Sequence, residues 1–236
     1  MTPGQSARLK TVDAYSVRRI RAFASLPTVV VRDLDAVVVP LTPQRGEILF
    51  SQNDKSSGVY FLFSGGVKLT TVVSKTKTAL LRIARSGEFL GLSAAVAQRP
   101  YIATARVLEN SHIAFVPGEE LKRLMGRHSQ LAVAVSERLA DDCVEALTEM
   151  LLFRVTSTTL QRLTRLILRW SRAHGSHPQE IRIPYTQAEI GQLIGASRET
   201  VTRLMTQLER KGIISVSHSQ LSIVDPQFLK RIAGPN

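Results

Sequence analysis

Tyr185-Thr-Gln-Ala-Glu-Ile-Gly-Gln-Leu-Ile-Gly-Ala-Ser-Arg-Glu-Thr-Val-Thr-Arg-Leu-Met-Thr-Gln-Leu-Glu-Arg-Lys-Gly-Ile-Ile214 is the stretch that decides the fold. Thr186 followed three residues later by Glu189 is a capping box, which starts a helix. Ile190, Leu193 and Ile194 form its apolar face, and Gly195-Ala196 ends it after about two turns. Ser197 caps a second helix whose inward stripe is Val201, Leu204, Met205 and Leu208. Lys211-Gly212 closes that helix, with basic charge in the last turn and glycine just beyond. Two short helices joined by a tight glycine-containing turn spell a helix-turn-helix. Ile213-Ile-Ser-Val and Leu221-Ser-Ile-Val read as a two-stranded wing.

In such a unit the second helix enters the DNA major groove with its N-terminal residues towards the bases. Here those residues are Arg198, Glu199, Thr200, Thr202 and Arg203. A guanidinium fork matches the O6/N7 edge of guanine, and a carboxylate accepts from the N4 amine of cytosine. Glu199 and Arg203 stand four apart on one face, so they can address neighbouring base pairs. The competing reading is a surface ion pair worth a few tenths of a kcal/mol. Ser197, Thr200 and the helix N–H groups suit phosphates.

Upstream, residues 26–117 carry short apolar runs between turn residues, among them Val59-Tyr-Phe-Leu-Phe, Val67-Lys-Leu-Thr-Thr-Val-Val and His112-Ile-Ala-Phe-Val. They predict a small antiparallel barrel or sandwich, with a hairpin at Gly65-Gly66. Glu119 to Met125 fits a short helix, and His128 to Val155 runs 28 residues without Gly or Pro, a long helix. On it Ala132, Ser136, Leu139, Cys143, Ala146, Met150 and Phe153 form a heptad seam, and Leu131, Val135, Val144, Leu147 and Leu151 a second stripe. Two apolar faces need two partners, which predicts the barrel on one side and the same helix of a second subunit on the other. Another helix over 156–173, a loop at Gly175–Pro178 and a short strand at Ile181–Ile183 follow.

The chain carries a net charge of +12: +4 over residues 1–21, +2 over 22–155 and +6 over 156–236. A basic C-terminal part beside a nearly neutral one points to nucleic acid meeting one domain. Residues 1–25 read as a basic, frayed or partly helical lead, where Arg18, Arg19 and Arg21 could touch a polyanion. No apolar run approaches the ~20 residues of a membrane span, and MTPGQSARLK lacks a secretory h-region, so a cytoplasmic protein without membrane contact is expected. The single cysteine, Cys143, cannot supply a cysteine-rich metal or iron–sulfur site and reads as a small buried apolar residue. No metal-ligand cluster, nucleophile elbow or Walker loop suggests an enzyme.

Over residues 40–225, and most specifically over Glu189–Arg203, the chain resembles the Crp/Fnr transcription regulators. The resemblance implies an α+β fold: a cyclic-nucleotide-binding-like β-roll (26–127), a dimerisation helix (128–155) and a winged helix-turn-helix (156–236), with a hinge at Phe153–Thr156. It implies that residues matching Arg198, Glu199 and Arg203 read a palindromic TGTGA-like operator in double-stranded DNA. Residues matching Thr186, Gln187, Ser197 and Thr200 would lie at phosphates. A homodimer and RNA polymerase are the implied protein partners.

The sensor departs from the cyclic-AMP pattern. The phosphate-binding cassette falls within Ser86–Arg106, around Gly87, Gly91, Leu92, Arg99, Tyr101 and Ile102. Cyclic-nucleotide binders of the family carry Glu where Leu92 stands and Arg near Tyr101. A buried phosphate without its guanidinium loses a charge-assisted pair, so cyclic AMP is not expected in the usual mode and no cofactor is assigned. Arg99 could substitute only with a shift of strand register. One alternative is an effector-independent regulator whose pocket is filled by Leu92 and Ile102. Another is a cyclic-nucleotide-binding adaptor, which leaves the helix-turn-helix unexplained. Haem on His112 or His128 stays open, although a lone histidine is ordinarily structural.

Overall fold

The computed structural model describes residues 15–74, 77–154, 158–173, 181–183, 185–217 and 220–234. The chain forms two compact units, residues 1–144 and 145–236. The predicted loop at Gly175–Pro178 and the hinge positions Val155 and Thr156 lie outside the described residues.

Unit one opens with two 3-10 turns, Val17–Arg19 and Arg21–Phe23, and helix α1 (Thr28–Asp35). Strands β1 (Val39–Leu41), β2 (Ile48–Phe50), β3 (Gly58–Ser74), β4 (Lys77–Arg85) and β5 (Phe89–Leu90) follow, then helix α2 (Leu92–Ala97) and strand β6 (Thr104–Pro117). All pairings in this sheet are antiparallel. Its path runs β1-β6-β3-β4, with β2 also on β6 and β5 on β3. Helices α3 (Gly118–Arg127) and α4 (Ser129–Arg154) complete this part of the chain.

The long strands explain the apolar runs. On β3, Val59 and Phe61 enter a core shared with the helices, while Tyr60 and Leu62 enter the interior of the roll. On β6, Ala114 and Val116 take the first side and Ile113 the second. Both faces are buried, so the sequence is continuously apolar rather than alternating.

The hairpin expected at Gly65-Gly66 is not there. One strand runs straight through both residues, and its register against β6 shifts between Leu62 and Ser64, Ser64 and Gly66, and Gly66 and Val67. Gly65 sits at φ +99°, and a Cβ there would stand 2.1 Å from Ser111 Oγ. Glycine here serves a bulge that bends a long strand, not a chain reversal.

The N-terminal segment also departs from expectation. Tyr15, Val17, Ile20, Phe23 and Leu26 are buried against α1 and the sheet, so this part of the lead is core. Asp35 holds it, accepting from Val17 N and Ser16 Oγ, each at 2.8 Å. Arg18 bonds Thr28 Oγ1 at 3.2 Å, and Arg19 lies over the Phe63 ring.

Unit two contains α5 (Thr159–Ala173), β7 (Ile181–Arg182), α6 (Gln187–Ile194), α7 (Arg198–Arg210), β8 (Ile214–Ser217), β9 (Gln220–Ile223) and α8 (Pro226–Ala233). Its three strands are ordered β7-β9-β8, with Ile214 opposite Ile223 and Ile181 opposite Leu221. Leu163, Ile167 and Trp170 of α5 meet Ile190, Ile194, Val201, Leu204, Met205 and Leu208 in one core. No described helix is long and apolar enough to cross a membrane.

Candidate nucleic-acid interface

The helix-turn-helix forms as its local chemistry dictates. Thr186 Oγ1 accepts from Glu189 N, and the Glu189 carboxylate accepts from Thr186 N at 2.9 Å, closing the capping box. Gly195 ends α6 in the left-handed conformation. Ser197 then caps α7 by accepting from Thr200 N at 3.2 Å. Val201, Leu204, Met205 and Leu208 anchor α7 inward, so its other side is fixed outward.

That outer side carries Arg198, Glu199, Thr202 and Arg203, all exposed. Glu199 and Arg203 form no ion pair, and Arg203 meets no carboxylate among the described residues. The Glu199 carboxyl is held below its ordinary value, first by its own backbone N–H, then by the Ser197 hydroxyl and the Arg198 charge. It is a carboxylate at neutral pH, as acceptance from cytosine requires.

Thr186, Gln187 and Ser197 are exposed around this face, and Thr200 is half-buried with its hydroxyl 3.2 Å from Ser197 Oγ. Thr202 Oγ1 lies within hydrogen-bonding reach of Gln187 Oε1 across the two helices and of Arg198 O at 3.0 Å, and its one hydroxyl hydrogen serves one of them at a time. The first and second helices therefore present one continuous polar surface.

Several arginines of the basic C-terminal part are structural. Arg162 Nε donates to Ile194 O at 2.6 Å, and Arg165 Nε to Ala233 O at 2.8 Å, at the ends of α6 and α8. Arg169 pairs with Glu145 at 2.6 Å. Composition counted these charges towards DNA, and only the fold shows that three of them serve the scaffold.

In unit one, the sensor residues are dispersed. Tyr101 is buried in the roll interior, stacked on Phe50 with ring centroids 3.9 Å apart. Its hydroxyl accepts from Ser57 N and Gly58 N at 3.1 Å and donates to Gly58 O at 2.8 Å. Its backbone exchanges two further bonds with the same loop, to Asp54 O and from Asn53 N. A Cβ on Gly91 would stand 2.6 Å from the ring, so phenol and cassette are in tight contact.

Leu92 is buried in the helix-covered core, not the roll interior, and Ile102 is 75% exposed. The alternative in which Leu92 and Ile102 together fill a pocket does not match their placement; of the cassette residues Gly87, Gly91, Leu92, Arg99, Tyr101 and Ile102, Tyr101 is the one whose side chain enters the roll interior. Gly87 forms an exposed turn and Arg99 is exposed beyond α2. In the sequence Tyr101 stands as a cassette position that lacks the arginine of cyclic-nucleotide binders. The signal for its actual role was the hydrogen-bond capacity of a phenol, whose partners come from a loop about 45 residues away.

Both histidines considered for haem have protein partners. His112 Nδ1 lies 2.8 Å from Tyr15 OH and His128 Nε2 lies 3.0 Å from Asp33 Oδ2. On α4, Leu131, Ala134 and Val135 are buried and Leu139 packs against the same core. Ser136, Cys143, Ala146, Val144 and Leu147 are exposed in the single chain, where burial of Cys143 would require the second subunit. Met150 and Phe153 continue the helix, and their side chains lie outside the described set.

Comparison with known proteins agrees with this architecture. A cyclic nucleotide-binding domain model matches residues 42–128 and a Crp-like helix-turn-helix domain model residues 161–232. The chain is 26% identical to the fumarate and nitrate reduction regulatory protein of Escherichia coli (strain K12), over 85% of this chain and 81% of that one. It is 28% identical to the transcriptional activator protein anr of Pseudomonas aeruginosa, over 85% and 83%. The structure of FixK2 from Bradyrhizobium japonicum superposes with a TM-score of 0.76 at 20% identity, covering 85% of this chain and 99% of that one. With its sensor-like sheet and its helix-turn-helix both matched, the chain belongs to the Crp/Fnr family of DNA-binding transcription regulators.

Proposed function

We propose that the protein is a homodimeric regulator reading a palindromic TGTGA-like operator, with Arg198, Glu199, Arg203 and Thr202 at base edges. Thr186, Gln187, Ser197 and Thr200 lie at phosphates in this reading. The observation that carries it is the unpaired Glu199–Arg203 face, held outward by four buried residues of α7. Exposed Ser136, Cys143 and Ala146 of the seam, with exposed Val144 and Leu147 of the second stripe beside them on α4, support a helix-to-helix dimer, and two-fold symmetry then places half-sites about one helical turn apart. RNA polymerase is the protein partner on family grounds, and the cytoplasm the compartment.

Fluorescence anisotropy with a TGTGA palindrome and a scrambled duplex tests the reading. Arg203→Ala is expected to cost about 1–3 kcal/mol on the palindrome and to relax preference at one base pair. Undiminished binding by Arg203→Ala refutes the assignment. Sedimentation tests the dimer, with Val144→Glu/Leu147→Glu expected to sediment as a monomer.

A second feature of the reading concerns the sensor. Tyr101, buried and hydrogen-bonded where a nucleotide phosphate would sit, favours operator binding without effector. Calorimetry against cyclic AMP, cyclic GMP and cyclic di-GMP is expected to show no submicromolar site, and such a site would overturn it.

A further inference from the structure

The turn between α6 and α7 sets where the reading face points, and its polar support comes from outside the helix-turn-helix. A helix leaves its last carbonyls without intrahelical partners. At the end of α6 the N–H groups of Gly195 and Ala196 both go to Gly191 O. The carbonyl of Ile194, a residue 1% exposed, is met by Arg162 Nε at 2.6 Å. A buried carbonyl needs such a donor, and a cation at a helix C-terminus is favoured by the aligned peptide dipoles. The same guanidinium donates through its terminal nitrogen to Thr159 Oγ1 at 3.2 Å. Thr159 is the first residue of α5, and only Gly195, Ala196 and Ser197 separate Ile194 from Arg198.

We infer that Arg162 is a positioning residue for DNA reading: its guanidinium braces the end of α6 against the start of α5 and so fixes the direction in which α7 presents Arg198, Glu199 and Arg203. The apolar half of the same joint is Gly191, where a Cβ would stand 2.6 Å from Ala196 O. Arg162 acts through the turn rather than on DNA. Its loss must therefore degrade discrimination between sequences, not the general attraction to phosphate. The inference rests on α7 being the reading helix.

The test uses the full chain, the palindrome and the scrambled duplex across a range of salt. Arg162→Met is expected to lose about tenfold on the palindrome while keeping its affinity for the scrambled duplex and its salt slope, since no phosphate contact is lost. Arg162→Lys keeps the charge and an ammonium donor without the planar fork, and should recover part of that loss. Thr159→Val should show a smaller loss in the same sense. Trp170 emission, which reports the core of this unit, checks that each variant is folded at the assay temperature. If Arg162→Met is unfolded there, Arg162→Lys and Thr159→Val carry the test, and wild-type discrimination in both overturns the inference. Equal losses on both duplexes with a shallower salt slope also overturn it, by showing that Arg162 touches phosphate itself. Failure of the wild type to discriminate would refute the assignment of α7 first, an outcome distinct from any of these.

Discussion

Replacing Tyr101 with Phe removes one oxygen and leaves the ring on Phe50. That oxygen accepts from Ser57 N and Gly58 N and donates to Gly58 O. Ser57 is exposed, so water can replace its bond; Gly58 is buried, so its N–H and carbonyl lose a partner that water does not readily replace. A buried group left unsatisfied costs about 1–3 kcal/mol. We expect about 2 kcal/mol, which for a unit of this size lowers the melting temperature by roughly 6 °C. Tyr101→Ala adds the loss of the buried ring and should cost about 3–5 kcal/mol. Thermal unfolding followed by tyrosine near-UV circular dichroism reads the sensor unit through Tyr15 and Tyr60 once the contribution of Tyr185, stacked on Trp170 in the other unit, is removed with a Tyr185→Phe background. Trp170, the one tryptophan of the chain, gives a separate signal from the other unit. A Tyr101→Phe variant that melts within about 1 °C of wild type would show that the loop does not depend on the phenol and would refute a structural role for its hydroxyl.

Other expectations follow from the same geometry. Ser197→Ala removes the cap of α7 and should cost about 1 kcal/mol in urea unfolding read by Trp170. It should also raise the Glu199 carboxyl towards its ordinary value in a carbon-detected NMR titration, because the Ser197 hydroxyl helps hold it down. Asp33 is likewise held below the usual carboxylate range, chiefly by His128 and then by Arg32 and Arg127, against an opposing effect of burial. A depressed carboxyl contributes stability that is complete above the ordinary range and lost as pH falls through its folded value. His128→Ala should therefore be less stable than wild type at pH 7, with the gap closing in strong acid; a gap that widens there would contradict the pairing. Gly65→Ala forces a side chain into a left-handed position against Ser111 and should destabilise by more than about 2 kcal/mol, measured by chemical denaturation of the sensor unit.

The helix-turn-helix was legible because every signal in it is local. Thr186 with Glu189, Gly195 with Gly191 and Ser197 with Thr200 each bond within four residues, and the structure places each in the expected role. Gly65-Gly66 misled because positive φ serves a reversal and a bulge equally, and only pairing with β6 separates them. Tyr15, Val17, Ile20 and Phe23 were hidden among arginines in a segment too short to show a period. The phosphate-side and base-side residues of α6 and α7 were readable as exposed positions. The partners of Tyr101 and Arg162 were not, since each joins positions more than 30 apart in the chain.

The sheet that walls two cores has a less obvious consequence. In most strands a slip of one position would push polar groups inside and apolar groups out, and that penalty guards the alignment. Residues 59–62 of β3 are apolar on both sides, so hydrophobicity alone scarcely distinguishes the right alignment from its neighbour. The guard passes instead to shape: Gly58, where a Cβ would stand 2.3 Å from Val116 O, and the phenol that grips both polar groups of that same glycine. Tyr101 thus doubles as an index mark for the strand, and variants that lose it should populate misaligned sheets as well as looser ones.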